Sequence, residues 1–181
     1  MFHFITQIFR DRDVAAVAPS SRFLIKRLLR CLQPEKTRSV LEFGPGPGVA
    51  TAPLLAVLPR DCRYVAVEKN PDFVAALRRL NDSRLTVLEA DARQVGAQLD
   101  KLGLTAADVI LASIPFSYLT KKERQAFVDL AFERLAPDGD FVVFHQYTPL
   151  MYPYLKKRFA AVRVQFEPLN FLPCFLFHCR K

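Results

Sequence analysis

The run Ser39-Val40-Leu41-Glu42-Phe43-Gly44-Pro45-Gly46-Pro47-Gly48 ends an apolar strand in three glycines at alternate positions, directly before a helix-compatible segment. Glycines at a strand-to-helix turn let backbone approach a ligand closely, so the run predicts a βα unit with a small-molecule site opening at its tip. The alternation continues along the chain. Candidate strands at Val40–Phe43, Tyr64–Glu68, Leu85–Glu89, Val109–Ala112 and Phe141–His145 are separated by helical segments at about 49–58, 71–80, 93–101 and 120–136. Before them, Ser20 or Ser21 is placed to cap a helix in which Phe23, Leu24, Arg27, Leu28 and Cys31 recur at helical spacing, ending near Pro34. After them come a helix near 151–159 and two apolar runs, Val162–Phe166 and Cys174–Cys179, joined by the turn-rich Glu167–Pro173. The expected fold class is α/β: a Rossmann-like seven-stranded sheet with helices on both faces and a C-terminal antiparallel hairpin. Residues 1–38 are expected to form amphipathic and capping helices, and residues 39–181 the ligand-binding domain of one globular unit.

The glycine spacing discriminates between cofactors. A dinucleotide fingerprint wants its third glycine at position 49, where this chain has Val49. Glu68 ends the second strand about 20 positions on, where an acid suits ribose hydroxyls. Glu42, just before the turn, repels phosphates and tolerates a cationic amino-acid moiety. An adenosyl ligand without phosphates fits this set, and S-adenosylmethionine is such a ligand.

Charge is informative once located. Residues 1–38 carry eight Lys/Arg against three Asp/Glu, residues 151–181 six against one, and residues 39–150 twelve against fourteen, so basic ends bracket a near-neutral body. An anionic partner is expected, either nucleic acid or a lipid surface. Phe2, Phe4, Ile5, Ile8 and Phe9 precede Arg10 and Arg12, a pattern that either lies on an anionic membrane surface or caps the core from one edge. No apolar run approaches the roughly 20 residues of a spanning helix, and no stretch reads as a signal peptide, so a cytoplasmic protein is expected. Cys31, Cys62, Cys174 and Cys179 form no CxxC pair and no zinc-like pattern; no metal is expected.

The strand ends hold the chemistry. Asp91 follows the third strand, placed either to accept from an adenine amino group, with small Ala92 leaving room for the ring, or to cap the next helix. The fourth strand ends Ser113-Ile114-Pro115-Phe116-Ser117-Tyr118, where Pro115 stops the strand. A carbonyl at 113 or 114 is then available to a substrate amine, with Phe116 or Tyr118 as an apolar or cation-attracting wall. His145, Gln146 and Tyr147 follow the fifth strand as candidates to orient an amine or relay its proton, Tyr147 being the preferred contact and His145 alternatively a core histidine.

In this order, these residues resemble a class I S-adenosylmethionine-dependent methyltransferase over nearly the whole chain. Val17-Ala18-Pro19-Ser20-Ser21, Glu42-Phe43-Gly44-Pro45-Gly46, and Gln146-Tyr147-Thr148-Pro149 through Leu169-Asn170-Phe171-Leu172-Pro173 resemble the bacterial phospholipid N-methyltransferase family. The resemblance implies methylation of phosphatidylethanolamine toward phosphatidylcholine by a peripheral protein at the inner membrane face, with a membrane-lying N-terminal helix. It implies that Glu42, Gly44, Gly46 and Gly48 line the methionine end of the cofactor, Glu68 the ribose and Asp91 the adenine, with Ser20 closing over it. Ser113-Ile114-Pro115-Phe116 is nearer to the motif of base amino-methyltransferases than to the Leu-Pro-Leu of lipid enzymes, so an rRNA adenine methyltransferase is the alternative. Such enzymes carry a helical RNA-binding domain after the sheet, and this chain stops at the hairpin, which ranks RNA behind lipid. A non-catalytic cofactor-binding scaffold is a third reading.

Overall fold

A computed structural model describes residues 20–181. The expectations for Phe2–Arg12 and for Val17–Pro19 lie outside the described residues.

The elements are α1 (Arg22–Cys31), β1 (Ser39–Phe43), α2 (Thr51–Val57), β2 (Arg63–Glu68), α3 (Pro71–Arg78), β3 (Leu85–Glu89), α4 (Gly96–Lys101), β4 (Ala107–Ala112), α5 (Lys121–Arg134), β5 (Leu135–Gln146), α6 (Tyr152–Arg158), β6 (Val162–Glu167) and β7 (Cys174–Arg180). The strands form one seven-stranded sheet in the order β3-β2-β1-β4-β5-β7-β6. The first five are parallel; β7 enters antiparallel between β5 and β6. The order reverses between β1 and β4, the switch point at which open α/β sheets leave a crevice beyond their strand ends.

Local chemistry sets the helix starts. Ser21 caps α1, its hydroxyl accepting from the Leu24 N–H at 3.3 Å. Asn70 caps α3 with Pro71 at the first helical position. Thr120 and Glu123 form a reciprocal capping box on α5.

Both faces of the sheet are covered, which is why the central strands read as continuous apolar runs. Leu41, Phe43, Ile110, Phe141 and Val143 pack with Phe127, Ala131 and Leu155 on the α5/α6 side. Val40, Tyr64, Val109, Val142 and Leu176 pack with Leu24, Leu28 and Leu54 on the α1/α2 side. The start of β5 departs furthest from expectation: it begins at Leu135, not Phe141. Leu135 pairs with Ala107, but the next pair is Asp140 with Val109, so residues 136–139 loop out between them. Pro137 lacks an N–H to give the ladder, and Asp138 stands at φ +59°, a left-handed turn conformation.

The hairpin is tied to the start of α1. Arg27 donates through Nε and Nη2 to Glu167 Oε2 at 3.0 and 2.9 Å, and through Nη1 to Gln165 at 3.3 Å. Buried Asn170 accepts from the Ser21 N–H at 2.7 Å and donates to the Leu172 carbonyl at 2.8 Å. Asn170→Ala strands both groups, costing about 1–3 kcal/mol. The melting temperature should fall by about 2–4 °C per kcal/mol, read by scanning calorimetry; an unchanged value would refute the clamp.

Candidate active site

The turn after β1 is held at a close backbone approach. Gly44 N–H donates to the Val67 carbonyl at 2.9 Å, and Ser113 N–H to the Phe43 carbonyl at 2.9 Å, so the ladders run up to the turn itself. Gly44 has φ +70°, and a Cβ there would lie 2.7 Å from the Ser113 carbonyl oxygen and 2.9 Å from Ile114 Cγ2. Gly46, at φ +58°, faces open space and lines the site. Gly48 does not: a Cβ at this residue would meet Leu77 at 3.1 Å and Leu80 at 3.4 Å, so it serves the packing of the turn against α3 rather than a ligand.

Three cavities meet beyond the strand ends. One of about 160 Å³ holds Gly44, Gly46, Glu68, Asp91, Ala92, Ser113 and Pro115 on its wall. A small one of about 50 Å³ lies between Glu42, Ser20, Gly44, Gly46 and Ser113. The largest, about 300 Å³, is lined by Ser20, Ser113–Pro115, Tyr118, His145–Thr148, Asn170 and Cys174. Ser113 borders all three.

Glu68 is buried, which pushes its carboxyl up, while three backbone donors pull it down: Gly46 N–H to Oε2 at 3.0 Å, and Lys69 and Asn70 N–H to Oε1 at 2.9 Å each. A carboxylate has about four lone-pair sites, so one remains on Oε2 for a ribose hydroxyl. Glu42 is wholly buried, and burial raises its pKa. Thr51 Oγ1 and Tyr64 Oη both donate to its Oε2, at 2.6 and 2.7 Å. Among the described residues it has no cationic partner. A buried carboxylate without a counter-cation, on the wall of a small cavity beside the glycine turn, is the environment a sulfonium amino acid completes. The residues present therefore fit S-adenosylmethionine.

Asp91 lies on the wall of the Glu68 cavity, but its carboxylate is already engaged. Arg93 grips it through Nε and Nη2, at 2.6 Å for Nη2 to Oδ2, and Arg93 N–H donates to Oδ1 at 2.9 Å, holding its pKa below the usual range. Arg93 also donates to Glu123 at 3.0 Å, joining this wall to the start of α5. Asp91 does not cap the next helix either: that helix, expected from 93, begins at Gly96 with Val95 at its N-cap and no side-chain cap, and the Arg93 N–H bond to Asp91 closes a local turn before it.

On the acceptor side the open alternatives narrow. The Ile114 carbonyl accepts from Phe116 N–H at 2.8 Å, whereas the Ser113 carbonyl accepts no hydrogen bond among the described residues. Phe116 is not a wall residue. It is fully buried, edge-on to Phe127 at 5.4 Å and to His145 at 6.2 Å, because the 3₁₀ turn Phe116–Tyr118 points its ring into the core. Tyr118, 67% exposed, lines both larger cavities instead. Arg124 secures this loop, donating to the Phe116 carbonyl at 2.8 Å and to Ser117 at 3.2 Å. His145 is half-buried in the wall, its pKa lowered by burial and then by Arg124. Tyr147 has φ +65° and its N–H donates to the Pro173 carbonyl at 2.9 Å, which sets its exposed ring at the cavity mouth. Cys174 shares this wall, but burial pushes its thiol up to about 12. Sequence reasoning missed Asn170 and Arg124 as supports; an asparagine in a loop flanked by Pro168 and Pro173 was the only signal for the first.

The fold and these cavities define a methyltransferase. The family described as a methyltransferase domain matches residues 41–141, and the chain belongs to the class I S-adenosylmethionine-dependent methyltransferases, with S-adenosylmethionine as cofactor. It is 30% identical over 185 residues to an ornithine lipid N-methyltransferase from Singulisphaera acidiphila, covering 99% of this chain and 95% of that protein. It is 34% identical over 100 residues to ribosomal RNA small subunit methyltransferase A from Nitrobacter winogradskyi, covering 54% of this chain and 33% of that one. The N-methyltransferase NodS from Bradyrhizobium japonicum WM9, solved with S-adenosyl-L-homocysteine, shares the fold at a TM-score of 0.67 and 17% identity, over 89% of this chain and 88% of that one.

Two substitutions test the site. Gly44→Ala should abolish cofactor binding by calorimetry while the chain still folds by circular dichroism; retained affinity would remove the close approach from the argument. Glu42→Gln keeps an acceptor for both hydroxyls and removes the charge. Because the folded carboxyl binds its proton more tightly than the unfolded one, the stability it contributes is lost as pH rises through the raised value. Glu42→Gln should therefore melt higher than the parent at pH 7.5, the gain vanishing toward about pH 4, while its affinity for S-adenosylmethionine falls at least about tenfold, about 1.4 kcal/mol.

Proposed function

We propose that this enzyme transfers the methyl group of S-adenosylmethionine to the amine headgroup of a lipid, such as phosphatidylethanolamine, at the inner face of a membrane. The observation that carries the reading is the largest cavity: it adjoins the cofactor cavities through Ser113–Pro115, and no lining residue carries a formal charge when His145 is neutral. Such a wall suits an amine that has shed its proton, and it lacks the row of cations with which proteins track the successive phosphates of a nucleic acid. The near full-length likeness to a lipid N-methyltransferase supports the same choice.

The cofactor supplies a methyl group already activated on a sulfonium, so the protein's task is to present a nitrogen lone pair in line and to take up a proton. In this reading the Ser113 carbonyl accepts from the amine and aims it, Ile114 and Pro115 form the wall between amine and cofactor, and Gln146 and Tyr118 border the headgroup. His145, kept neutral by burial and Arg124, receives the proton the ammonium sheds. Tyr147 contacts the headgroup at the mouth. Ser20 closes over the cofactor, Glu68 holds the ribose, Gly44 and Gly46 let the cofactor approach the backbone, and Ala92 and Asp91 border the adenine. Residues 1–19, rich in Phe and Ile before Arg10 and Arg12, supply an apolar and aromatic anchor for the membrane surface.

A second reading, methylation of an rRNA adenine, is favoured by Ser113-Ile114-Pro115-Phe116 and the partial likeness to an rRNA methyltransferase. Labelled methyl transfer into a total lipid extract and into naked rRNA separates the two. Label in an amine lipid is expected; label in rRNA alone would overturn the lipid reading. His145→Gln should lower kcat by about 100-fold and remove the acid limb of its pH profile, which in the parent lies below the ordinary histidine value of about 6.5. An unchanged profile would take the base role from His145.

A further inference from the structure

We infer that the β6–β7 loop is a membrane-inserting rim, dipping Leu169 and Phe171 into an anionic lipid surface beside the acceptor cavity. The inference rests on the lipid reading above for its occupant and on separate residues for its evidence.

The loop holds two large apolar side chains in water by design of its hydrogen bonds. Leu169 is 62% exposed and Phe171 76%, while Asn170 between them is 5% exposed. Alternation of this kind follows from the anchoring. Asn170 is pulled inward by Ser21 and Leu172, and Leu169 N–H is tied to Glu167 Oε1 at 3.0 Å, with Glu167 itself gripped by Arg27. In the turn between β6 and β7, these bonds hold Asn170 inward and leave Leu169 and Phe171 outward. An anchored loop that presents a leucine and a phenylalanine to solvent, with Asn170 between them on the wall of the cavity that exposed Tyr147 and Tyr118 also line, is an apolar patch at the rim of a site.

Charge chooses the occupant. Arg22 and Lys26 are exposed on α1, whose cap Ser21 is bonded to Asn170 of the loop. Lys121 and Lys122 are exposed on the other side of the cavity, directly after Tyr118 and its turn. The loop's own acid, Glu167, is buried and paired. Aromatic and aliphatic tips flanked by cations match the boundary of an anionic bilayer. Size agrees: small-molecule sites span about 300–1,000 Å³, and the acceptor cavity, at about 300 Å³, admits a headgroup and leaves acyl chains outside, where the rim lies.

The chain has no tryptophan, so Phe171→Trp in the full-length protein is a unique reporter, and Val57→Trp, at the far end of α2, is its control. With vesicles of phosphatidylethanolamine and brominated phosphatidylglycerol, emission from position 171 should shift to the blue and be quenched at least twofold. Position 57 should not change, and the effect should weaken in 0.5 M salt, where charges are screened within about 4 Å. No change at 171, or equal change at both positions, overturns the rim. A blue shift that rises with protein concentration in the absence of vesicles overturns it in favour of a second copy of the chain. If position 171 inserts but no methyl reaches lipid, the rim stands and the lipid-acceptor reading falls. If methyl reaches lipid with position 171 unmoved, the reverse holds.

Discussion

The approach of the Ser113 carbonyl to Gly44 is the contact on which the rest of this structure turns. It is possible only because residue 44 has no side chain and can hold a positive φ. By bringing the tip of β1 against the end of β4, it closes the switch point of the sheet to a narrow backbone ridge. The two smaller cavities and the large one all border Ser113 on that ridge. In the proposed function the two reactants meet across main chain, whose position depends on the ladders of β1, β2 and β4 rather than on side-chain rotamers.

The periphery makes the second half of the site. Parallel strands and their helices supply the cofactor side from sequence-local units, each a strand, a turn and a capped helix. The acceptor side is assembled from distant pieces: the end of β5, the β6–β7 loop and the first residues of α1, joined by Asn170, Arg27 and Glu167. Antiparallel insertion of β7 between β5 and β6 is what carries Pro173 to the Tyr147 N–H and so shapes the cavity mouth.

This division explains what was legible in the sequence. The Gly44–Gly46 turn, Glu42, Glu68 and the strand-helix alternation were readable because they follow from local backbone preference and from apolar periodicity. Gly48 reads as a ligand residue because its neighbours do, yet the space a side chain there would need is taken by Leu77 on α3 and Leu80 just after it, about 30 residues away in sequence. Phe116 and Tyr118 were interchangeable as wall residues until the 3₁₀ turn sent one ring inward and the other out. Asp91 was marked for its charge, but its partner Arg93 consumes the carboxylate. Asn170 acts across 149 positions, and no periodicity reports such a bond.

Glu42 carries one consequence beyond its own cavity. In the proposed site, a carboxyl that resists ionising in the folded chain and receives a cationic ligand couples ligand binding to proton release, so affinity for the methyl donor is expected to rise with pH across the range where Glu42 titrates. The same coupling runs through folding. A ligand that binds only the folded chain stabilises it as the logarithm of its concentration over its dissociation constant. A cation seated beside Glu42 would thus stabilise the folded chain more at neutral pH, where the buried carboxylate is costly, than at acid pH, where the carboxyl is already neutral.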